Sequence, residues 1–129
     1  MPVVRLGGSA LDVQLVRELA GSVLVEESGE ADVSVSSEVT LATATVNVDT
    51  YIRIKAVWGE GDGDGKWTLY RNGSLIYQAR NSWSNKNILG LIEIQADAGD
   101  VVTLKVTNLH NTTNHYTGGF YAYELIAGA

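Results

Sequence analysis

The feature that most constrains the fold is an alternation of apolar and polar residues, which begins after Ser22 and continues through most of the chain. Successive side chains of a β-strand point to opposite faces, so a period of two is typical of strands. The 14 glycines supply tight turns between these segments, and the single proline, at position 2, interrupts none of them. We therefore predict an all-β domain of about seven to nine short strands, a sandwich or a barrel, with an antiparallel jelly-roll sandwich preferred.

Length and composition favour one ordered domain. The chain has 129 residues, of which 45% are hydrophobic and 19% charged, which is enough to build one core. Its net charge of −6 disfavours nucleic acid as a partner, because affinity for phosphates comes mainly from Lys and Arg. The absence of cysteine excludes disulfides and thiolate chemistry. Neither a secretory signal nor an apolar run of about 18 residues is found, so we expect no membrane partner.

Residues 1–22 are predicted to form a segment separate from the sandwich, which we assign to residues 23–129. Ser9 and Asp12 have the spacing of a capping box, with Asp in place of the usual Glu. A helix over residues 10–20 would place three leucines on one face: Leu11, Leu15 and Leu19. The alternative is an extended arm that lies along a neighbouring subunit.

Residues 51–58 are predicted to form the first strand of a hairpin. One face of this strand is apolar and is expected to point to the core: Ile52, Ile54, Ala56 and Trp58. Pairing Trp58 with Trp67 on the next strand places Ala56 opposite Leu69. The apolar faces then match across the hairpin, which favours this register.

The remaining strands follow from turn residues and alternation. Asn72-Gly73 is typical of a two-residue turn with both residues at positive φ, and it closes a second hairpin onto residues 75–80. Residues 108–119 are predicted to be a long polar loop. Residues 120–126, rich in aromatic side chains, are predicted to be the closing strand.

Three segments resemble parts of jelly-roll modules: residues 65–76 with their Asn-Gly turn, residues 98–106 with an Ala-Gly-Asp turn before an alternating strand, and residues 119–125 with Gly-Phe-Tyr. They resemble tumour-necrosis-factor-like and complement-globular-head-like domains. Similar modules occur in virion proteins of tailed bacteriophages, including capsid decoration proteins and tail or fibre modules. The resemblance runs from Tyr51 to the end. It implies a jelly-roll sandwich, a homotrimer, capsid or tail proteins as partners, and a virion location after synthesis in the host cytoplasm.

Acidic residues form one candidate metal site. Carboxylates alternate with glycines at three positions, as in the opening of a calcium loop: Glu60, Asp62 and Asp64. The twelfth position of such a loop falls on Arg71, where a bidentate glutamate is required, so only an irregular calcium site remains. The alternative is a solvated loop that its acids keep soluble. His110 and His115 lack an evident third ligand, which favours ordinary exposed histidines over a metal site.

Aromatic side chains are the main candidates for recognition of a partner or a glycan. Trp83 lies in a polar segment, residues 81–87, so we expect an exposed ring that anchors a partner or stacks on a sugar. Trp58 and Trp67 are expected in the core. Tyr116 is a further candidate for a contact or a ligand. The closing strand has aromatic residues on both faces, whereas a sandwich needs only one apolar face, so we expect a subunit contact there: Phe120, Tyr121 and Tyr123.

No motif for catalysis is found. The chain has no cysteine nucleophile, no Gly-x-Ser-x-Gly, no phosphate-binding glycine loop and no His-Glu-x-x-His run. A glycosidase needs two opposed carboxylates, and Glu93 with Glu124, or either of them with Asp100, remains open as such a pair. We therefore predict a non-enzymatic structural component of a phage virion, without a cofactor, that acts through oligomeric assembly. The alternative is a carbohydrate-binding β-sandwich.

Overall fold

The computed structural model describes residues 23–127, which contain eight β-strands and no helix. The strands are β1 (Val23–Val33), β2 (Glu38–Thr45), β3 (Thr50–Gly61), β4 (Gly65–Arg71), β5 (Ser74–Asn81), β6 (Asn87–Asp97), β7 (Val101–Asn108) and β8 (Asn114–Ile126). Within this range, no helix that could span a membrane is present. The helix or arm predicted for residues 1–22 lies outside the described residues.

The strands form two four-stranded antiparallel sheets. The front sheet has the order β1-β8-β3-β6, and the back sheet has the order β2-β7-β4-β5. Among the eight described strands, β4 and β5 are the only consecutive pair in the same sheet, and every other connection crosses the sandwich. Eight strands joined in this way form a jelly roll of two Greek keys. The predicted antiparallel sandwich with jelly-roll character is confirmed.

The core lies between the sheets and is built from the inward-facing residues of each alternating strand. The alternation predicted for β7 is confirmed, because three of its apolar residues are fully buried: Val102, Leu104 and Val106. Phe120 on β8 is equally buried and enters the core from the front sheet. Full burial of an apolar side chain of this size contributes about 1.5–3 kcal/mol, so the buried core as a whole is the main source of stability.

Trp67 fills the space between the sheets at a place where the front sheet carries glycine. A Cβ atom at Gly59 would lie 2.7 Å from the Trp67 ring, and one at Gly118 would lie 2.5 Å from it. Tyr116 packs edge-on against Trp67, with ring centroids 5.9 Å apart. The indole N–H donates to Oδ1 of the buried Asn81 at 2.8 Å. Glycine therefore makes room for the ring, and its polar atom is satisfied.

The predicted hairpin that pairs Trp58 with Trp67 is wrong. β3 lies in the front sheet and pairs with β6 and β8, whereas β4 lies in the back sheet. A β-bulge at Lys55 adds one residue to β3 and reverses which side chains face the core. The two isoleucines before the bulge are buried as predicted, but after it Val57 is buried and Ala56 and Trp58 point outward.

The predicted Asn72-Gly73 turn is confirmed, with φ angles of 51° and 81°. The Asn72 side chain also connects this turn to the one between β6 and β7. Its Nδ2 donates to Asp100 Oδ1 at 2.8 Å, and its Oδ1 accepts the N–H of Val101 at 2.8 Å. One side chain therefore both shapes a hairpin and ties two turns together.

The loop predicted for residues 108–119 is mostly strand, because β8 begins at Asn114 rather than at Phe120. The connection from β7 to β8 is therefore only residues 109–113. A backbone hydrogen bond joins this connection to the one between β3 and β4. Two more join Asn108, at the end of β7, to the connection between β1 and β2, and another joins the end of β3 to the connection between β5 and β6. These four connections form one end of the sandwich, which we call the loop end.

Candidate functional site

The outer face of the back sheet is mainly polar, with Leu75 exposed opposite Tyr70. Thr43 and Thr103 face each other across β2 and β7, with their hydroxyl oxygens 3.5 Å apart. Lys105 Nζ lies 5.5 Å from the centroid of the Tyr70 ring and 4.0 Å from a carboxylate oxygen of Glu38. Such a surface is typical of a sheet face that contacts water.

The outer face of the front sheet carries an apolar surface instead. Leu89 on β6 lies opposite Trp58 on β3. In the next row, Ala56 on β3 lies between Leu91 on β6 and Tyr121 on β8. Leu89 and Leu91 expose 69% and 81% of their surface. Because neighbouring strands lie about 4.8 Å apart, these five side chains form one contiguous surface, which we call the outer patch.

Charged groups border the outer patch along the strands. Arg53 and Lys55 both donate to Oε1 of Glu93, at 3.2 and 2.7 Å. The hydrogen bond from Lys55, assisted by Arg53 and opposed by partial desolvation, lowers the pKa of Glu93. Exposed ion pairs contribute only about 0–1 kcal/mol, so this group gives the outer patch a polar rim more than it stabilises the fold.

His115 forms a second charged group on this face, towards the loop end. Its Nδ1 lies 2.7 Å from Asp32 Oδ1, and its Nε2 lies 3.8 Å from Glu30 Oε2, both on the edge strand β1. The hydrogen bond with Asp32 is the main cause of a raised pKa of His115, with some opposition from desolvation.

We expect the imidazole of His115 to titrate above its ordinary pKa of 6.5, and Asp32→Asn to lower that pKa. A raised folded-state pKa stabilises the protein fully below the unfolded value, and this contribution is lost as the pH rises through the folded value. An NMR titration of the His115 imidazole protons measures this pKa in the native protein and in Asp32→Asn. A native value at or below 6.5, or an unchanged value in the variant, contradicts the role of Asp32.

The closing strand presents only part of the aromatic set predicted for a contact. Phe120 and Tyr116 are fully buried on the inner face of β8. Tyr121 and Tyr123 are half-buried on its outer face, where Tyr123 lies between β1 and Arg53. The structure therefore places Phe120 and Tyr116 in the core and leaves Tyr121 and Tyr123 for a contact.

Three connections meet at the loop end and bring Asp64, Trp83 and His110 together. Asp64 Oδ1 accepts the backbone N–H of Trp83 at 2.7 Å, and Asp64 Oδ2 lies 3.6 Å from His110 Nδ1. The Trp83 side chain is 64% exposed, as its polar sequence context predicts. Sequence alone did not indicate that a carboxylate and an imidazole lie at its base.

The carboxylates predicted as calcium ligands do not converge. Glu60 is exposed at the end of β3, Asp62 follows in the turn, and Asp64 contacts Trp83 and His110. In residues 23–127, no group of three or more His, Asp or Glu side chains is placed to hold a metal ion. The geometry of Asp64 instead fits a role in joining two loops.

Two buried asparagines, which no motif indicated, hold the loop end together. Asn81 Nδ2 donates to the carbonyl oxygen of Gly63 at 3.0 Å. Asn108 Nδ2 donates to the carbonyl oxygens of Val33 at 2.7 Å and Thr112 at 2.8 Å. One signal was present in the sequence, because Asn108 follows the last buried valine of β7 by two residues and so continues its inward-facing series.

The carboxylates considered as a catalytic pair lie apart. Glu93 lies on the outer face of the front sheet, where Lys55 contacts it. Glu124 lies on the opposite face of that sheet and accepts a hydrogen bond from Asn47 at 2.8 Å. Asp100 lies in the turn between β6 and β7. The arrangement does not place any two of them across a common cleft.

Neither the known protein families nor the curated proteins include a match to this sequence. The outer patch and the loop end are the two surface features that distinguish this sandwich.

Proposed function

We propose that this chain is a non-enzymatic structural component of a phage virion, a capsid decoration protein or a tail module, that acts as a homotrimer. Jelly rolls are common in viral capsid domains, and the second half of the sequence resembles trimeric modules of this kind. A fold does not by itself imply a function, so the site has to support the proposal. The main structural support for the proposed function is the outer patch.

The outer patch differs from the rest of the surface in a way that favours association. Single exposed apolar residues are ordinary, whereas a contiguous apolar surface with a charged rim has the anatomy of a protein interface. Full burial of a leucine contributes about 1.5–3 kcal/mol, and Leu89 and Leu91 are both largely exposed. Burial of the mainly polar outer face of the back sheet would contribute less free energy to association.

The charges around the outer patch support a second copy of the chain as its occupant. Arg53 and Lys55 lie on β3, and Glu26 and Glu30 lie on β1 of the same sheet. A surface that carries both signs can complement itself when copies are rotated about a symmetry axis. Tyr121 lies on β8 between these two strands, and aromatic residues of this kind are enriched among interface hot spots.

The proposal predicts that the purified chain is an oligomer and that charge in the outer patch disrupts it. Leu89→Lys/Leu91→Lys should weaken association by about 100-fold or more, because two leucines lose burial and two charges enter an apolar contact. Light scattering over a concentration series measures the change, and circular dichroism checks that the variant is folded.

Thr43→Lys/Thr103→Lys is the matched control, since it adds the same charges to the outer face of the back sheet. We expect this control to remain oligomeric. A native chain that is monomeric at every concentration contradicts self-assembly, and so does a control that dissociates as readily as the test variant.

The virion location has its own test. Immunogold electron microscopy of particles from the virus that encodes the chain should label the capsid surface or the tail. Absence of the chain from purified particles contradicts the virion assignment and leaves the assembly result unaffected.

A further inference from the structure

Trp83 presents an indole ring to solvent from the connection between β5 and β6. The side chain is 64% exposed, although tryptophan is on average highly buried in proteins. Exposure of one aromatic residue is not by itself a site, so the surroundings of the ring have to be considered.

The backbone beneath Trp83 is fixed by hydrogen bonds from both sides. Its N–H donates to Asp64 Oδ1 at 2.7 Å. Ser82 and Asn85, which flank it, exchange two backbone hydrogen bonds of 3.1 and 3.2 Å. The buried Asn81 donates to the carbonyl oxygen of Ser82 at 3.1 Å. The ring therefore projects from a preorganised base, which reduces the entropy that a ligand must overcome on binding.

Polar groups able to donate and accept hydrogen bonds lie beside the Trp83 backbone. Asp64 Oδ2 lies 3.6 Å from His110 Nδ1, and the two side chains are 37% and 29% exposed. The turn that carries Asp64 packs closely on the neighbouring connection, because a Cβ atom at Gly63 would lie 2.9 Å from His110 Cβ and 2.6 Å from Asn114 Nδ2. The backbone that carries Trp83, a carboxylate and an imidazole are thus joined at the loop end.

This combination matches the chemistry of a neutral sugar. A pyranose ring has an apolar C–H face that can stack on an indole, and its hydroxyls can donate to a carboxylate and accept from an imidazole. An anionic ligand is disfavoured by Asp62, Asp64 and a net charge of −6. A protein interface needs an apolar centre, and the residues hydrogen-bonded beneath Trp83 are polar. We infer that the loop end binds neutral carbohydrate, with Trp83 as the stacking platform and Asp64 and His110 as hydrogen-bonding groups.

NMR of the full-length protein with neutral sugars tests this site. The probes are glucose, galactose, mannose, N-acetylglucosamine, lactose and maltose at up to about 50 mM, a range that detects dissociation constants near 1 mM. Only three indole N–H signals are possible, and the one lost in Trp83→Ala belongs to Trp83. At least one sugar should shift that signal in a saturable way.

Two variants test the roles of the Trp83 ring and the Asp64 carboxylate separately. Trp83→Ala should weaken binding at least about 10-fold, because the platform is lost, and this is measured in the NMR signals of the sugar since the variant lacks the Trp83 signal. Asp64→Asn keeps an oxygen for the Trp83 N–H but removes the charge, and it should weaken binding without unfolding the protein. The assembly variant Leu89→Lys/Leu91→Lys is the control and should bind the sugar as the native chain does, so this inference can fail or succeed independently of the proposed assembly.

Three outcomes would overturn the inference. The first is no shift of the Trp83 signal with any of the six sugars. The second is sugar binding, followed in the NMR signals of the sugar itself, that Trp83→Ala does not weaken. The third is a Trp83 signal that responds to protein concentration instead of sugar, which would assign the ring to a contact between protein chains.

Discussion

Replacing Trp67 with alanine is expected to lower the free energy of unfolding by about 3–5 kcal/mol, the range for large aromatic side chains in protein cores. Trp67 is fully buried, packs against Tyr116 and donates to Asn81 Oδ1 at 2.8 Å. Alanine removes these contacts and leaves a cavity that Gly59 and Gly118 have no side chains to fill. It also leaves a buried amide oxygen without its donor, which adds to the cost. Urea denaturation followed by circular dichroism measures the difference.

Trp83→Ala is the matched control for this change. The same side chain is removed, but from a position that is 64% exposed, so we expect a change within about 0.5 kcal/mol. A loss of less than about 1.5 kcal/mol for Trp67→Ala, or equal losses for the two variants, contradicts the packing described for Trp67.

The second large effect is expected for Asn108→Ala, which should lower the free energy of unfolding by about 3 kcal/mol. The amide nitrogen of Asn108 donates to Val33 and Thr112, and its oxygen accepts the N–H of His110 at 2.8 Å and lies 3.0 Å from the Tyr116 hydroxyl, which also contacts the Asp64 carbonyl oxygen at 2.7 Å. Each hydrogen bond of this kind contributes about 1 kcal/mol, and a buried group left without a partner costs more. Alanine supplies none of the contacts of the Asn108 amide.

Urea denaturation measures the global effect, and hydrogen exchange at the His110 amide measures the local one. Asn87→Ala is the control, because Asn87 is exposed at the start of β6 and should change stability by no more than about 0.5 kcal/mol. Faster exchange at His110 is expected only in Asn108→Ala. Equal stabilities of the two variants contradict a structural role for the buried amide.

Features that depend on neighbouring residues could be predicted from the sequence. The alternation of β7 and the Asn72-Gly73 turn were predicted correctly, because side-chain direction and turn conformation follow from a few adjacent residues. The exposure of Trp83 was predicted in the same way, from a polar segment without apolar periodicity. The presence of Asp64 and His110 beside it could not be predicted, since they come from two other connections.

The errors concern strand pairing and the consequences of one extra residue. Alternation favoured Trp58 opposite Trp67, but it cannot tell whether two successive strands share a sheet or face each other across a core. The bulge at Lys55 then turned Trp58 outward, although an uninterrupted alternation had placed it inside. Phe120 and Tyr121 were both expected at a subunit contact. In the folded sheet, Phe120 faces the core and Tyr121 lies on the outer face of β8.

Local pattern was thus sufficient for the all-β class, for most strands and for the tight hairpin turn. The outer patch and the loop end were decided by the tertiary structure. Leu89, Trp58 and Tyr121 come from three strands that are distant in the chain, and they become neighbours only because β3 pairs between β6 and β8. Such pairing depends on which faces can be buried together in the complete sandwich, and that is a property of long-range contacts rather than of any one segment.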